Sequence, residues 1–344
     1  MKGLIVTAQH QLELVTLSDP RPGPFEALVR IHACGICATT DRELIRGTQP
    51  YNKAYPCLLG HEGVGQVVEV GARVQSFRVG DWVTRPAGIH PGETRDGLAS
   101  AWGGFAELGL VRDRLAMSAA GDHSADQDYV AQRQNRIAAE GLDVASMVLA
   151  ISLAETASWA WQLPPLGGAA VCVAGTGIAG LSIALWAKLA GARSVIVLGR
   201  RAERLHVARQ VAADYALDTS DPDWVTQVRD LTGGGAGLFC EAVGSTALLR
   251  TALTALRPGG VAAIYGVPAH GDQPFDSACL TEGRTVITPE ARDHLAYAGV
   301  CDLIRRGVVP VRALMTHRWP LQDFARAFAE VAGGGVVKGR LELV

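Results

Sequence analysis

The sequence lacks the features that mark secreted, membrane-bound and nucleic-acid-binding proteins. No apolar run approaches the length of a membrane span, and polar residues follow the apolar start of MKGLIVTAQHQLELVT too soon for a secretory signal. The formal net charge is −2, and the 32 basic residues form no dense run. This charge pattern argues against nucleic acid and anionic membranes as partners. We therefore expect a cytoplasmic protein that acts on a small molecule.

The cysteines also lack the pattern of a disulfide framework. There are seven, an odd number, and their spacing is irregular. Such a distribution favours reduced thiols, so we expect metal binding or core packing to account for most of them. The composition, 48% apolar and 19% charged, is that of an ordinary globular protein, and a length of 344 residues favours two domains.

The pattern of apolar residues changes along the chain. Up to about residue 120, short β-like runs alternate with Gly and Pro turns, which predicts a β-rich domain. From about Ala145, strand and helix patterns alternate, as in Ala169–Gly175 and Ser194–Leu198, which predicts a parallel sheet. The polar segment 118–143 is interpreted as an insertion or a connecting helix.

These patterns together predict an α/β protein with a discontinuous first domain. We assign residues 1–153 and 290–344 to the β-rich domain, because the strand and helix alternation stops before the C-terminal segment. Residues 154–289 are assigned to a Rossmann domain with a doubly wound parallel sheet.

A glycine-rich loop, GTGIAG at 175–180, follows an apolar strand and opens a predicted helix. Gly175 permits a tight turn, Gly177 lets the backbone approach a pyrophosphate, and Gly180 allows close packing of helix and strand. The helix, starting at Ile178, offers free N–H groups and a positive dipole end to phosphates. A turn without a ligand is the alternative, but the order of strand, loop, helix and strand favours a dinucleotide site.

The residues after the second strand of this unit indicate which dinucleotide binds. A carboxylate there would bind the adenosine ribose and select NAD, whereas this chain has Gly199. Arg200 and Arg201 follow, and guanidinium groups suit a 2′-phosphate. We predict NADP(H), with Arg200 as the principal contact. A solvated basic helix start is the alternative.

Candidate metal ligands lie in the first domain. Cys34 and Cys37 form a CxxC, His61 and Glu62 follow in GHEG, and Glu155 stands much later in LAET. A zinc ribbon would need a second CxxC, which is absent, and a redox pair would be expected near a βαβ unit. One thiolate with imidazole and carboxylate is instead the ligand set of a catalytic zinc.

The motifs GIC, GHEGVGQVVEVG, VGDWV and GGFAEL, with the Rossmann segment, resemble those of zinc-containing medium-chain dehydrogenases over nearly the whole chain. The resemblance implies a GroES-like catalytic domain and a homodimer or homotetramer. It places the catalytic zinc on Cys37, His61 and Glu155, with Glu62 able to exchange onto the metal. Many members bind a structural zinc through four cysteines, but residues 85–102 contain none, so we expect one zinc per chain.

The residues after Cys37 depart from the family pattern. The family usually has a small residue, Thr or Ser, and then Asp, whereas this chain has Ala38, Thr39, Thr40 and Asp41. Counting from the cysteine selects Thr39 as the proton-relay hydroxyl, and counting back from the aspartate selects Thr40. We favour Thr39 because its distance from the metal ligand sets its reach. Whether Asp41 orients the zinc histidine is left open.

Three further features bear on ligand binding. Lys338 matches a family position where a basic residue faces the pyrophosphate, although a solvated surface lysine is the alternative. The run Thr40–Gly47 resembles the sugar and polyol dehydrogenase branch. Trp102 and Trp159 are candidates for the lining of the substrate site, with core packing as the alternative.

The combined prediction is an oxidoreductase that transfers hydride between NADP(H) and a zinc-bound alcohol or carbonyl compound. The substrate is a sugar, a polyol, or a secondary alcohol or ketone. One alternative is a zinc-free NADPH-dependent quinone or enone reductase, against which Cys37, His61 and Glu62 argue together. The other is a noncatalytic NADPH-binding protein.

Overall fold

The computed structural model describes residues 1–50, 52, 54–267 and 277–344. It divides into two compact units. The first comprises Met1–Ile151, Tyr297–Val311 and Met315–Val344, and the second comprises Ser152–Ala296 and Arg312–Leu314. The first division falls inside the helix Val144–Ala160, two residues before the boundary predicted after residue 153.

Strands and helices are numbered in chain order. The strands are β1 (Lys2–Val6), β2 (Leu12–Thr16), β3 (Glu26–Ile36), β4 (Cys57–Leu58), β5 (Glu62–Val70), β6 (Trp82–Thr84), β7 (Thr94–Arg95), β8 (Leu98–Ser100), β9 (Leu108–Arg112), β10 (Asn135–Ile137), β11 (Ala170–Ala174), β12 (Ser194–Gly199), β13 (Tyr215–Asp218), β14 (Ala236–Glu241), β15 (Leu256–Ile264), β16 (Thr285–Ile287), β17 (Met315–Pro320) and β18 (Lys338–Glu342). The α-helices are α1 (Thr40–Arg46), α2 (Arg114–Ala119), α3 (Val144–Ala160), α4 (Ile178–Leu189), α5 (Ala202–Val211), α6 (Trp224–Thr232), α7 (Thr246–Ala255), α8 (Tyr297–Arg305), α9 (Val311–Leu314) and α10 (Phe324–Gly333).

The first unit is built mainly of antiparallel strands. One sheet has the order β2-β1-β4-β8-β7, and another has the order β10-β6-β5-β3-β18-β17, with β9 also paired to β3. Strand β3 alternates buried and more exposed residues at first, the period of a sheet with one covered face. Its last residues, 33–36, are all buried, so the strand runs into the interior before it ends. Cys37 follows directly.

The second unit contains the parallel sheet that the sequence predicts. Its strands run in the order β13-β12-β11-β14-β15-β16, and every neighbouring pair is parallel. This is the order of a doubly wound sheet, which reverses between β11 and β14. Strand β11 is buried at every residue, which explains why its sequence is a continuous apolar run. The prediction of a Rossmann sheet is confirmed.

Of the two interpretations of segment 118–143, the connecting helix is wrong, and the insertion stays a prediction. The segment contains the short 3₁₀ turns Ser124–Asp126 and Ala131–Arg133, followed by β10, which pairs with β6. Asp122 accepts a hydrogen bond from the backbone N–H of Ser124, and Asp128 accepts hydrogen bonds from those of Val130 and Ala131, so both carboxylates bind backbone groups at the start of the turns. The segment is thereby part of the β-rich unit. Among the described residues, no helix combines the length and apolar character needed to cross a bilayer.

Candidate metal and cofactor sites

Strand pairing brings the candidate metal ligands of the first unit together. Strands β3 and β5 are antiparallel, and Gly35 lies opposite Glu62, so the end of one strand meets the start of the other. Among the described residues, Cys37, His61 and Glu62 form a cluster in which one potential ligand atom from each lies within 4.8 Å of the others. Thiolate, imidazole and carboxylate at this separation fit a divalent zinc ion.

The turn before β5 fixes the direction of His61. Gly60 has a φ of 107°, and a Cβ atom there would lie 2.5 Å from the backbone nitrogen of Phe105, so this position requires glycine. The buried guanidinium of Arg85 donates to the carbonyl oxygen of His61 over 2.8 Å. The main chain of His61 is therefore held from both sides.

Asp41, in the first turn of α1, connects two of the ligands. Its fully buried carboxylate accepts a 2.8 Å hydrogen bond from the backbone N–H of Cys37, and its other oxygen lies 3.2 Å from Nδ1 of His61. A carboxylate on the far ring nitrogen fixes the orientation of a metal-binding histidine. The contact would allow Asp41 to orient His61 on a metal, and that role stays a prediction.

The charges of the cluster favour the thiolate of Cys37, and zinc binding would release the proton that the raised pKa places on His61. Burial opposes ionisation of the Cys37 thiol, but its hydrogen bond with His61 and the charge of that ring outweigh burial and lower the pKa of Cys37. Burial disfavours the charged His61 ring, yet Asp41 and Cys37 raise the pKa of His61 to about 10. A thiolate is the form of cysteine that binds zinc. In contrast, Cys34 is fully buried within β3, and burial raises the pKa of its thiol.

The glycine-rich loop of the second unit has the geometry of a phosphate-binding turn. Gly175 follows β11 with a φ of 123°, and Gly177 is the N-cap of α4, which begins at Ile178. A side chain at Gly180 would overlap the carbonyl oxygen of Gly175, so glycine permits the close approach of helix and loop. The N-terminal N–H groups of α4 therefore begin directly at the loop.

At the end of β12, the position of Gly199 leaves no room for a carboxylate side chain. A Cβ atom at Gly199 would lie 2.5 Å from Cγ2 of Thr176. Arg200 and Arg201, next along the chain, are exposed. Arg204, in contrast, is buried and donates to the carbonyl oxygen of Thr176 over 2.9 Å. The exposed pair is available to an anion, whereas Arg204 braces the loop.

Two domain families match the chain. Residues 23–121 match the alcohol dehydrogenase GroES-like domain, and residues 179–300 match the zinc-binding dehydrogenase domain. The chain is 30% identical over 344 residues to a probable zinc-binding alcohol dehydrogenase of Mycobacterium tuberculosis, covering 96% of this chain and 85% of the relative. The chain belongs to the zinc-type medium-chain alcohol dehydrogenase family. The resemblance and the GroES-like fold expected from the sequence are both confirmed.

Other relatives of this medium-chain dehydrogenase agree. A sorbitol dehydrogenase of Bacillus subtilis is 25% identical over 329 residues, covering 94% of this chain and 91% of the relative. The crystal structure of benzyl alcohol dehydrogenase from Acinetobacter calcoaceticus superposes with a TM-score of 0.84 and 21% identity, over 100% of this chain and 99% of the other. The latter likeness concerns the fold. As a member of this family, the chain is an oxidoreductase.

Lys338 occupies an unexpected place in this dehydrogenase. Strand β18 pairs with β3, with Gly339 opposite Ile36, and this register brings Lys338 to the metal-ligand cluster. Its side chain is 1% exposed and forms an ion pair with Glu62. The alternative of a solvated surface lysine is therefore wrong. Contact with the pyrophosphate stays a prediction.

The Glu62–Lys338 pair keeps both groups charged in the interior. Burial raises the pKa of Glu62, but the charges of Lys338 and His61 bring it below its usual value. Burial likewise lowers the pKa of Lys338, and the charge of Glu62 more than reverses this effect. The predicted zinc ligand Glu62 therefore has a cationic partner, which sequence spacing could not reveal because the two residues are far apart in the chain.

The remaining predicted residues lie as follows. Glu155 belongs to the second unit, where its Oε1 accepts a 3.1 Å hydrogen bond from the hydroxyl of Tyr265. Trp159 is buried and packs edge-on against Tyr265, as expected for core packing. Thr39 is exposed at the N-cap of α1, and Thr40 is half-buried as its first residue. The metal contact of Glu155 and the choice of relay hydroxyl stay predictions.

Proposed function

We propose that this chain is a zinc-dependent, NADP(H)-using alcohol dehydrogenase or carbonyl reductase. The observation that carries the proposal is the convergence of Cys37, His61 and Glu62 within 4.8 Å of one another in the described chain. The donor set is that of a catalytic zinc, and Asp41 orients the histidine from its far nitrogen.

The residues of the site divide the work of the reaction. Cys37 and His61 would hold the metal, and Glu155, Glu62 or water would complete its ligand set. When bound, zinc polarises the substrate oxygen, and the nicotinamide gives or takes the hydride. Thr39 passes the hydroxyl proton of the alcohol outward to solvent, which its exposed position permits. One zinc per chain is proposed because residues 85–102 contain no cysteine.

The preference for NADP(H) rests on the end of β12. Gly199 offers no carboxylate to the ribose hydroxyls, and the exposed Arg200 and Arg201 can bind a 2′-phosphate. Lys338 is proposed to add positive charge toward the pyrophosphate. Replacing Arg200 with Gln should raise the KM for NADPH about 10-fold or more and leave the KM for NADH nearly unchanged. Equal changes for both cofactors would remove Arg200 from the 2′-phosphate site.

The proposed substrate is a sugar, a polyol, or a secondary alcohol or ketone. The run Thr40–Gly47 supports this class because it resembles the polyol branch, and one relative is a sorbitol dehydrogenase. We further propose a cytoplasmic homodimer or homotetramer, as the resemblance implies. Sedimentation of the purified chain would distinguish dimer from tetramer.

A single set of measurements separates this proposal from its two alternatives. The full-length protein is analysed for metal and then assayed with alcohols, ketones and enones, using NADP(H) and NAD(H), at the nicotinamide absorbance band. About one zinc per chain with alcohol or ketone turnover supports the proposal. Enone turnover without zinc would favour the quinone or enone reductase. Cofactor binding without any turnover would favour the noncatalytic protein.

A further inference from the structure

A row of aromatic rings leads away from the zinc-ligand candidate His61. The ring of Trp102 lies 5.2 Å from that of His61, centroid to centroid, at an angle of 47°. The ring of Tyr129 lies 6.4 Å from Trp102, in an edge-on arrangement. All three residues belong to the first unit. The rings therefore form a continuous wall that starts at the proposed metal site.

The backbone of Trp102 adopts an unfavourable conformation. Its φ is 67°, in the left-handed region that bulky side chains rarely adopt. Its indole N–H is buried and has no hydrogen-bond partner among the described residues. Strained backbone of this kind persists where the surroundings fix it, and it concentrates at functional sites. The Trp102 ring therefore packs beside His61 despite a strained backbone and a buried N–H group that has no hydrogen bond in the described part of the chain.

Tyr129 is exposed over 53% of its surface, yet the chain on both sides of it is held by hydrogen bonds. The buried carboxylate of Asp128 accepts hydrogen bonds from the backbone N–H groups of Val130 and Ala131. Its other oxygen lies 3.1 Å from Nδ1 of His90 and 2.9 Å from Nη1 of Arg112. Tyr129 therefore presents a partly exposed ring on a backbone that Asp128 holds in place.

Arg133 caps the wall and differs from the other arginines of its neighbourhood. Its guanidinium carbon lies 3.7 Å from the centroid of the Tyr129 ring, a cation–π contact that fixes the plane of the charge. Three other arginines in the same stretch of chain pair with carboxylates: Arg112 with Glu26 and Asp128, Arg114 with Asp126, and Arg136 with Asp81. Within the described residues, Arg133 has no carboxylate partner. It is only half-buried, so an anion can reach it.

We propose that Trp102, Tyr129 and Arg133 select alcohols or ketones that carry a carboxylate on an aromatic or unsaturated stem. The rings would contact the flat stem, and Arg133 would bind the carboxylate through paired N–H groups. This inference rests on the proposed function, since it assumes that the reacting oxygen binds at the Cys37–His61 cluster. It narrows the substrate class from secondary alcohols and ketones in general to their anionic members.

The test compares two alcohols that differ by one carboxylate. The zinc-loaded, full-length enzyme is assayed with NADP⁺ and either 1-phenylethanol or 4-(1-hydroxyethyl)benzoate. We expect kcat/KM to be at least about 10-fold higher for the carboxylated alcohol in the wild type, as a charge-assisted contact predicts. Arg133→Gln should bring the ratio of the two values to about 1. Arg136→Gln, which removes the same charge from the same segment, should preserve the wild-type ratio.

The possible results distinguish the wall from the proposed function. A wild-type ratio near 1, or an unchanged ratio in Arg133→Gln, would overturn the proposed selection of carboxylated substrates. If the enzyme oxidises other alcohols but neither of these two, the proposed selection is also overturned, and the proposed function stands. If no alcohol or ketone is turned over, the proposed function fails. Titration calorimetry with 4-acetylbenzoate then tests whether Arg133 binds the carboxylate. Binding at least about 10-fold weaker in Arg133→Gln than in wild type would support it, and equal binding would reject it.

Discussion

Two buried histidine–aspartate pairs in the first unit have different surroundings. His61 lies 3.2 Å from Asp41, and His90 lies 3.1 Å from Asp128, in each case through Nδ1. Both histidines and both carboxylates are buried. The geometry of the pair alone therefore does not tell which one belongs to a metal site.

The groups around each pair make the difference. Nε2 of His61 faces Glu62 at 3.8 Å, and Cys37 completes the cluster, so anionic donors converge on one point. Nε2 of His90 is buried without a hydrogen-bond partner among the described residues, and its aspartate binds the guanidinium of Arg112. The first cluster contains Lys338, which pairs with Glu62, and we propose that it also binds zinc through Cys37 and His61. In the second pair, Arg112 is the cation that faces the aspartate, and the contacts of Asp128 hold a loop in place.

The largest expected effect separates the two histidines. His61→Gln should reduce the zinc content from about one per chain to near zero and lower kcat/KM at least about 1,000-fold, because a ligand of the Lewis acid is lost. His90→Gln is the matched control and should retain zinc. Metal analysis and steady-state kinetics measure both effects. Zinc loss in the His90 variant alone would reverse the assignment of the two pairs.

Asp128→Asn should lower stability by about 3 kcal/mol, because Arg112 and His90 lose a buried charge partner. Burial raises the pKa of Asp128, but the hydrogen bond and charge of His90 and backbone N–H groups hold it below the usual value. A lowered folded-state pKa stabilises the protein above about pH 4 and loses that effect as the pH falls further.

Urea unfolding of the wild type and Asp128→Asn, at pH 7 and below pH 4, measures this contribution. The difference between their midpoints should be large at neutral pH and should shrink on acidification. Hydrogen exchange in residues 124–134 should become faster in the variant at neutral pH. A midpoint difference that does not change with pH would contradict the proposed charge contribution.

Asp41→Asn should weaken zinc binding about 10- to 100-fold, since the imidazole loses the carboxylate that orients it. Competition with a chelator measures the affinity. Asp128→Asn is again the matched control and should bind zinc with unchanged affinity. If both variants lose affinity equally, the two aspartates share a general structural role and the distinction drawn between the pairs fails.

The smallest expected effect concerns the proton relay, a role that we assign near His61 and not near the His90–Asp128 pair. Thr39→Val should lower kcat/KM for alcohol oxidation about 10-fold, because solvent replaces the hydroxyl only in part. Thr40→Val should have little effect. The reverse order of the two variants would assign the relay to Thr40. The pH profile of kcat should shift in whichever variant removes the relay.

The elements that were predictable from the sequence have strong local patterns. The Rossmann segment is an example, with strand β11, the loop at Gly175 and helix α4 in direct succession. Its structure could be predicted because neighbouring residues determine it. The pairing of Cys37 with His61 could be predicted from family motifs that surround each residue. Both predictions depend on short stretches whose residue types are restricted by geometry.

The features that the sequence did not reveal depend on pairing between distant segments. Lys338 reaches Glu62 because β18 lies beside β3, a register that no local pattern specifies. For segment 118–143, the alternative of a connecting helix was wrong, because a sequence does not show which polar residues are buried: Asp128 is buried and pairs with Arg112. A buried charge is visible in a sequence only when its partner is known.

The contacts of Gln134 link the aromatic wall to the metal-ligand backbone. Its side-chain amide donates to the carbonyl oxygen of Arg85 over 3.2 Å and accepts from the backbone N–H of Arg112 over 2.8 Å. Arg85 in turn holds the carbonyl oxygen of His61. An engineer who shortens or transplants the stretch around residues 118–134 to change substrate choice would thus also loosen the support of His61. In this enzyme, selectivity and metal retention would have to be redesigned together.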